Sequence, residues 1–122
     1  MSVPVDLAAL DAELARFGAV AFLITAAAGS RPHVVSVRVA SEAGALTMAA
    51  GRTSRANVAT APEVALCWPG DGSGYCLLVD GTAVADDGAA TVTVTPTHAI
   101  LHRLAGAPAA LPYCAPIDAA PS

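Results

Sequence analysis

Charge is scarce in this chain, and lysine is missing altogether. Only 13% of its 122 residues are charged, all six cationic side chains are arginines, and the formal net charge is -4. Aromatic residues make up 4%. An acidic chain with no basic stripe and no interleaved aromatic platform lacks what nucleic-acid binding requires. The longest charge-free apolar run, residues 17–29, is too short to span a bilayer and reads as a strand, so no membrane partner is expected. Met1-Ser2-Val3-Pro4 has no basic start of the signal-peptide kind, and a cytoplasmic location is expected. The three cysteines, Cys67, Cys76 and Cys114, form no CxxC and no zinc spacing with histidine, which points to free thiols. No GxSxG, GxGxxG or GxxxxGK[ST] stands in the chain, so a hydrolytic triad and the common phosphate loops are not expected.

Apolar side chains are abundant at 55%, but many are alanine, so Val, Leu and Ile must build the core. The length fits one domain spanning 1–122. A surface so poor in charge is expected to be partly covered in a homo-oligomer, because large exposed apolar patches are rare on monomers.

Residues 5–17 read as an amphipathic helix, with Leu7, Leu10, Leu14 and Phe17 at helical spacing, Asp6 as cap and Gly18 as stop. Strands follow. In 19–27, Val20, Phe22 and Ile24 share one face and Leu23 the other. In 31–40, Val35, Val37 and Val39 point one way, Ser36 and Arg38 the other. Residues 45–50 form a third strand, and the short turns between these three imply an antiparallel meander. A helix of about two turns is expected at 54–60, stopped before Pro62. Strands at 63–68 and 75–85 flank the loop Pro69–Gly74. If that loop sets Trp68 opposite Tyr75, Cys67 lies opposite Cys76 within disulfide range, and two packed thiols are favoured over a bridge. Residues 90–95 alternate most clearly, with Val92 and Val94 inward, and a short helix is expected at 97–104 after Pro96. From 106 to 122 the Pro/Ala-rich tail has no period. Six short strands with helices at the corners make a small antiparallel barrel, mainly β in class.

Two stretches offer chemistry. His98 and His102 would share a helix face at i and i+4, but a third metal ligand is not apparent, and metal binding is not expected. His33, beside Pro32, is read as lining a groove. Met48–Val58 carries Arg52 and Arg55 three residues apart at a helix start, with Thr53 or Ser54 as cap. Unpaired N–H groups, the positive end of the helix and two guanidinium groups suit a phosphate or another compact anion. A surface turn with solvated arginines is the alternative.

The order of these elements resembles the pyridoxamine 5'-phosphate oxidase-like split-barrel superfamily over residues 17–104. The matching pieces are Arg31-Pro32-His33-Val34, Thr53-Ser54-Arg55, Asn57-Val58, Pro62-Glu63-Val64-Ala65-Leu66 and Gly81-Thr82-Ala83. The resemblance implies a six- to seven-stranded antiparallel Greek-key split barrel. It also implies a homodimer with FMN, or in some branches the deazaflavin F420, in a groove between subunits. Its phosphate would rest on Arg52, Ser54 and Arg55, with Thr53 also at the cofactor, and its ring system would lie against His33, Val34, Val35, Ser36, Thr47, Met48, Ala49 and Ala50. Arg55 replaces the family's usual lysine and keeps the charge while adding a bidentate fork. The chain ends Ala119-Ala120-Pro121-Ser122, without the arginine-bearing segment of true pyridoxamine phosphate oxidases, so that reaction is not expected. Few basic residues are available for a polyglutamate tail, which favours FMN over F420. The implied activity is that of a small flavin oxidoreductase acting on a small molecule. An F420-dependent reductase, a non-catalytic flavin or haem carrier or sensor, and a relative without cofactor are the alternatives.

Overall fold

A computed structural model of the chain describes residues 2–27, 29 and 31–107. Seven strands are formed: β1 (Ser2–Pro4), β2 (Val20–Ala26), β3 (Pro32–Glu42), β4 (Ala45–Ala49), β5 (Glu63–Trp68), β6 (Tyr75–Asp86) and β7 (Thr91–Arg103). Two helices accompany them, α1 (Leu10–Phe17) and α2 (Arg52–Thr60). The order β7-β4-β3-β2-β5-β6, closed by antiparallel pairing of β6 with β7, makes a six-stranded barrel. One edge of β7 is shared: β4 pairs with Thr91–Val94, and β1 adds to the far end at Ile100–His102. Two meanders, β2–β4 and β5–β7, are joined by α2, which crosses one end of the barrel. No described helix is long and apolar enough to cross a membrane.

Alternation sets the core. Ala21 and Leu23 of β2, Val37 of β3, Leu46 and Met48 of β4, Leu66 and Trp68 of β5 and Val92 and Val94 of β7 point inward and are buried. Val20 and Phe22 therefore face outward, on the side of β2 opposite Leu23.

The N-terminal helix begins as a 3-10 turn at Leu7–Ala9, where Asp6 Oδ1 accepts the Ala8 N–H at 3.0 Å. Regular α-helix runs only from Leu10, and Leu7 stays exposed. Gly18 stops it at φ +92, a conformation that favours glycine, and its carbonyl accepts the Trp68 indole N–H at 2.9 Å.

Arg16 ties this helix to the β5–β6 loop. Its Nη1 donates to Glu13 Oε1 at 2.9 Å and its Nη2 to Asp71 Oδ2 at 3.0 Å. Burial raises the Asp71 pKa, but hydrogen bonds from the Ser73 hydroxyl and backbone, with the Arg16 charge, outweigh it and leave the carboxyl below its ordinary value. A depressed carboxylate stabilises the fold above its unfolded pKa, and that contribution disappears as pH falls through the folded value. Thermal melts of the wild type should therefore lose stability below about pH 4. Asp71→Asn should be less stable at neutral pH and show a flatter acid limb. An unchanged limb would remove Asp71 from the acid response.

Two sequence expectations are corrected. Trp68 pairs with Leu77 and Cys67 with Leu78, so the hairpin register is two residues further on than expected, and Cys67 does not face Cys76. The thiols lie diagonally and unbridged, and burial raises both pKa values. Nor is there a helix at 97–104: β7 continues through it. Gly81 pairs with Pro96 and Asp80 with His98, leaving Thr97 as the extra residue of a β-bulge. The bulge accommodates Pro96, which has no N–H to give. It also moves the inward positions from Val92 and Val94 to Ala99 and Leu101, which breaks the period-2 signal. A Cβ at Gly81 would lie 2.5 Å from Val94 Cγ1 and 2.6 Å from the Thr95 carbonyl oxygen, so close approach demands glycine there. The tail from 108 and Cys114 lie outside the described residues.

Candidate functional site

The barrel is split beside β3. Residues Pro32–Arg38 pair with β2 on one side, but β4 pairs only with Val39–Glu42 on the other. Beyond Ala49 the chain leaves the sheet and turns at Gly51 into α2. The unpaired edge of β3 and the start of α2 enclose a groove of about 260 Å³, lined by His33, Val35, Ser36, Val37, Ala49, Ala50, Gly51, Arg52, Thr53 and Ser54.

Gly51 is the N-cap of α2, and no side chain caps it, so neither Thr53 nor Ser54 takes the expected capping role. Both lie inside the helix, which begins two residues earlier than expected. The first intrahelical bond is Arg55 N–H to Gly51 carbonyl at 3.1 Å, which leaves the N–H groups of Arg52, Thr53 and Ser54 without helical acceptors. There is no acidic residue in this first turn. Ser54 is 1% exposed and borders the groove. Arg52 is exposed at the rim and forms no ion pair among the described residues. Lower on α2, the Asn57 amide donates to the Thr25 hydroxyl at 3.1 Å, a buried bond that pins the helix to β2.

The remaining expected residues sit elsewhere. Met48 points into the core, Thr47 stands between Ala40 and Thr93 in the sheet, and Val34 is 55% exposed on the outer face. Arg55 does not line the groove: its Nε donates to Asp87 Oδ1 at 3.0 Å and its Nη1 to the Ala50 carbonyl. Sequence reading missed Val37 and Gly51. The alternation of β3 assigned Val37 to the core, and Gly51 was read only as a turn.

Two of the larger grooves are chemically different. One of about 460 Å³ lies between α1 and the barrel, lined by Asp11, Leu14 and Trp68 among others, without a cation facing it. Another of about 500 Å³ carries Glu63 and Asp80. His98 and His102 are roughly 13 Å apart on the outer face of a strand. His98 Nδ1 stands 3.5 Å from Asp80 Oδ2 and His102 Nδ1 3.4 Å from the Ser2 hydroxyl. Of these grooves, the one at the start of α2 has an arginine in its lining.

No family model matches the chain. It is 40% identical over 119 residues to an uncharacterized protein of Mycobacterium bovis, covering 81% of this chain and 80% of that one. An uncharacterized protein of Mycobacterium tuberculosis matches to the same extent. This chain belongs to one family with them. Solved structures give the fold its name. A Clostridium acetobutylicum protein of the pyridoxinephosphate oxidase family superposes with a TM-score of 0.59 at 14% identity, covering 81% of this chain and 91% of that one. An F420 reductase gives 0.57 at 19% identity, covering 71% and 93%. The FAD binding protein from Mycobacterium smegmatis gives 0.57 at 17% identity, covering 84% and 100%. The fold is the pyridoxamine 5'-phosphate oxidase-like split barrel. In this split barrel the split is the gap between β3 and β4, and α2 begins at its mouth.

Proposed function

We propose that this split barrel binds a flavin nucleotide, FMN, and acts as a small oxidoreductase other than a pyridoxamine phosphate oxidase. The observation that carries the reading is the groove at the start of α2. There the first turn of α2, with three N–H groups lacking helical acceptors, Ser54 and Arg52, borders a space whose lining holds no carboxylate. The phosphate would sit on Arg52, Thr53 and Ser54, and the ring system would lie along the β3 edge at His33, Val35 and Ser36. When bound, the flavin supplies the hydride chemistry. The chain's own residues bind the phosphate, offer backbone groups of β3 to the ring edge, and exclude water with Val35 and Val37. The names of the solved neighbours, an F420 reductase and a FAD binding protein among them, support a flavin-type cofactor. One free arginine at the groove suits a single phosphomonoester better than a polyanionic tail, which favours FMN over F420.

A second copy of the chain is the proposed cover for the outer face beside the groove. Val20, Phe22 and Val34 are 49%, 40% and 55% exposed there, an apolar cluster of the sort oligomers bury. Unbridged thiols accord with the cytoplasmic location expected from the sequence.

Titration of the purified protein with FMN, followed by flavin fluorescence and light scattering, tests the reading. A dimer that binds FMN with micromolar or better affinity is expected. Binding of F420 but not FMN would transfer the site to the deazaflavin, and a Soret band would favour a haem carrier. Binding of none of these would end the cofactor reading, and a monomer would remove the intersubunit groove.

A further inference from the structure

We propose that Arg55 is a positioning residue, which clamps the corner between β4 and α2 so that the first turn of the helix faces the groove. It rests on the flavin reading only for what the groove takes. The corner is Ala50, and both of its backbone polar groups are held from outside the β3–β4 ladder. Its N–H donates to the Ala90 carbonyl at 3.1 Å, and its carbonyl accepts from Arg55 Nη1. Arg55 Nε in turn donates to Asp87 Oδ1 at 3.0 Å. Ala90 and Asp87 belong to the same turn between β6 and β7, which is braced by the Ala89 N–H on Asp86 Oδ1 at 3.1 Å. The turn therefore holds Ala50 twice, once directly and once through the guanidinium.

A strand residue turns its N–H and carbonyl to the same side, and at Ala50 that side is met by the β6–β7 turn and the Arg55 guanidinium. The chain leaves the ladder at this point, and the split opens. Arg55 sits one helical turn beyond Gly51, with its side chain only 16% exposed and its charge turned to Asp87, which is 88% exposed. Arg52 is then the cation left at the groove. The two arginines have different tasks: one meets the anion, and the other holds the donors in place for it.

The sign of one substitution separates this from direct ligation. Releasing Arg55 from Asp87 would strengthen a phosphate ligand but would weaken a clamp. FMN and riboflavin are titrated into the full-length wild type and into Asp87→Ala, Asp87→Asn, Arg55→Ala and the double variant. Hydrogen exchange of the backbone amides of residues 50 and 55 is followed on the same proteins without ligand. Asp87→Ala should weaken FMN binding about two- to fivefold, whereas Asp87→Asn, which keeps an acceptor oxygen, should stay near the wild type. Arg55→Ala should cost about tenfold, and the double variant should be no weaker than it. Riboflavin, which has no phosphate, should respond less than FMN. The amides of residues 50 and 55, bonded to the Ala90 and Gly51 carbonyls, should exchange faster in Asp87→Ala and Arg55→Ala. Tighter FMN binding by Asp87→Ala overturns the clamp and makes Arg55 a ligand. Unchanged exchange at 50 and 55 in Arg55→Ala overturns it whether or not flavin binds. Failure of the wild type to bind either flavin sinks the cofactor reading alone, because the exchange rates still decide the clamp.

Discussion

Trp68→Ala is expected to lower the unfolding free energy by about 4 kcal/mol, the range seen for truncating a large buried aromatic side chain. Trp68 is 0% exposed at the end of β5, within the core and beside α1. Truncation empties this volume and takes the 2.9 Å indole donor from the Gly18 carbonyl, at the point where α1 stops and the chain enters β2. Two costs coincide: lost apolar burial with its cavity, and a carbonyl left without its partner. The melting temperature should fall by about 15 °C for a domain of this size. Trp68→Phe, which retains most of the volume but no donor, should cost about 1–2 kcal/mol. Val84→Ala, at a side chain 70% exposed on β6, is the control and should stay within about 0.5 kcal/mol. Circular dichroism is the suitable probe, since Trp68 is the single tryptophan. A loss below about 1 kcal/mol for the alanine variant would mean that the end of the barrel collapses around the gap.

Arg52→Glu should abolish most FMN binding while leaving the fold intact. Arg52 is exposed on the first turn of α2 and lines the groove, so stability should change by no more than about 0.5 kcal/mol. In the proposed site it supplies a charge-assisted bond to phosphate, worth about 1.5–3 kcal/mol. Its replacement sets a carboxylate against the phosphate, so affinity should drop about 100-fold or more. Riboflavin binding should change by much less, since it has no phosphate to repel. Equal loss for FMN and riboflavin would show that Arg52 shapes the groove and does not bind the phosphate. Unchanged FMN affinity would remove the phosphate from the start of α2.

The two variants probe opposite ends of one barrel. Trp68 and α1 close the end where β2 begins, and α2 crosses the end where β2 finishes at Thr25 and Ala26. The closed end carries the large aromatic side chain and the buried carboxylate of Glu13. The groove lies toward the other end, lined by small side chains and backbone donors. A split barrel can thus lose much of its stability at one end without the groove at the start of α2 being altered chemically.

What the sequence alone determined was whatever repeats within a few residues. The alternation of Val35, Val37 and Val39 set the inward face of β3, and Glu63–Trp68 emerged with the bounds expected. The spacing of Leu10, Leu14 and Phe17 located α1, and of the two arginines expected at an anion, Arg52 lines the groove at the start of α2 while Arg55 turns to Asp87. Tertiary structure alone decided how distant segments meet. The β5–β6 hairpin slid by two residues, which keeps every side chain on its face, so alternation could not reveal the slip. The bulge at Thr97 reversed the inward parity of β7, leaving His98 and His102 spaced like a helix pair on what is a strand. Arg55 found Asp87 across 32 residues, a partner no local pattern could name. Periodicity reports which face of an element is buried; pairing and charge depend on what the rest of the chain brings against that face.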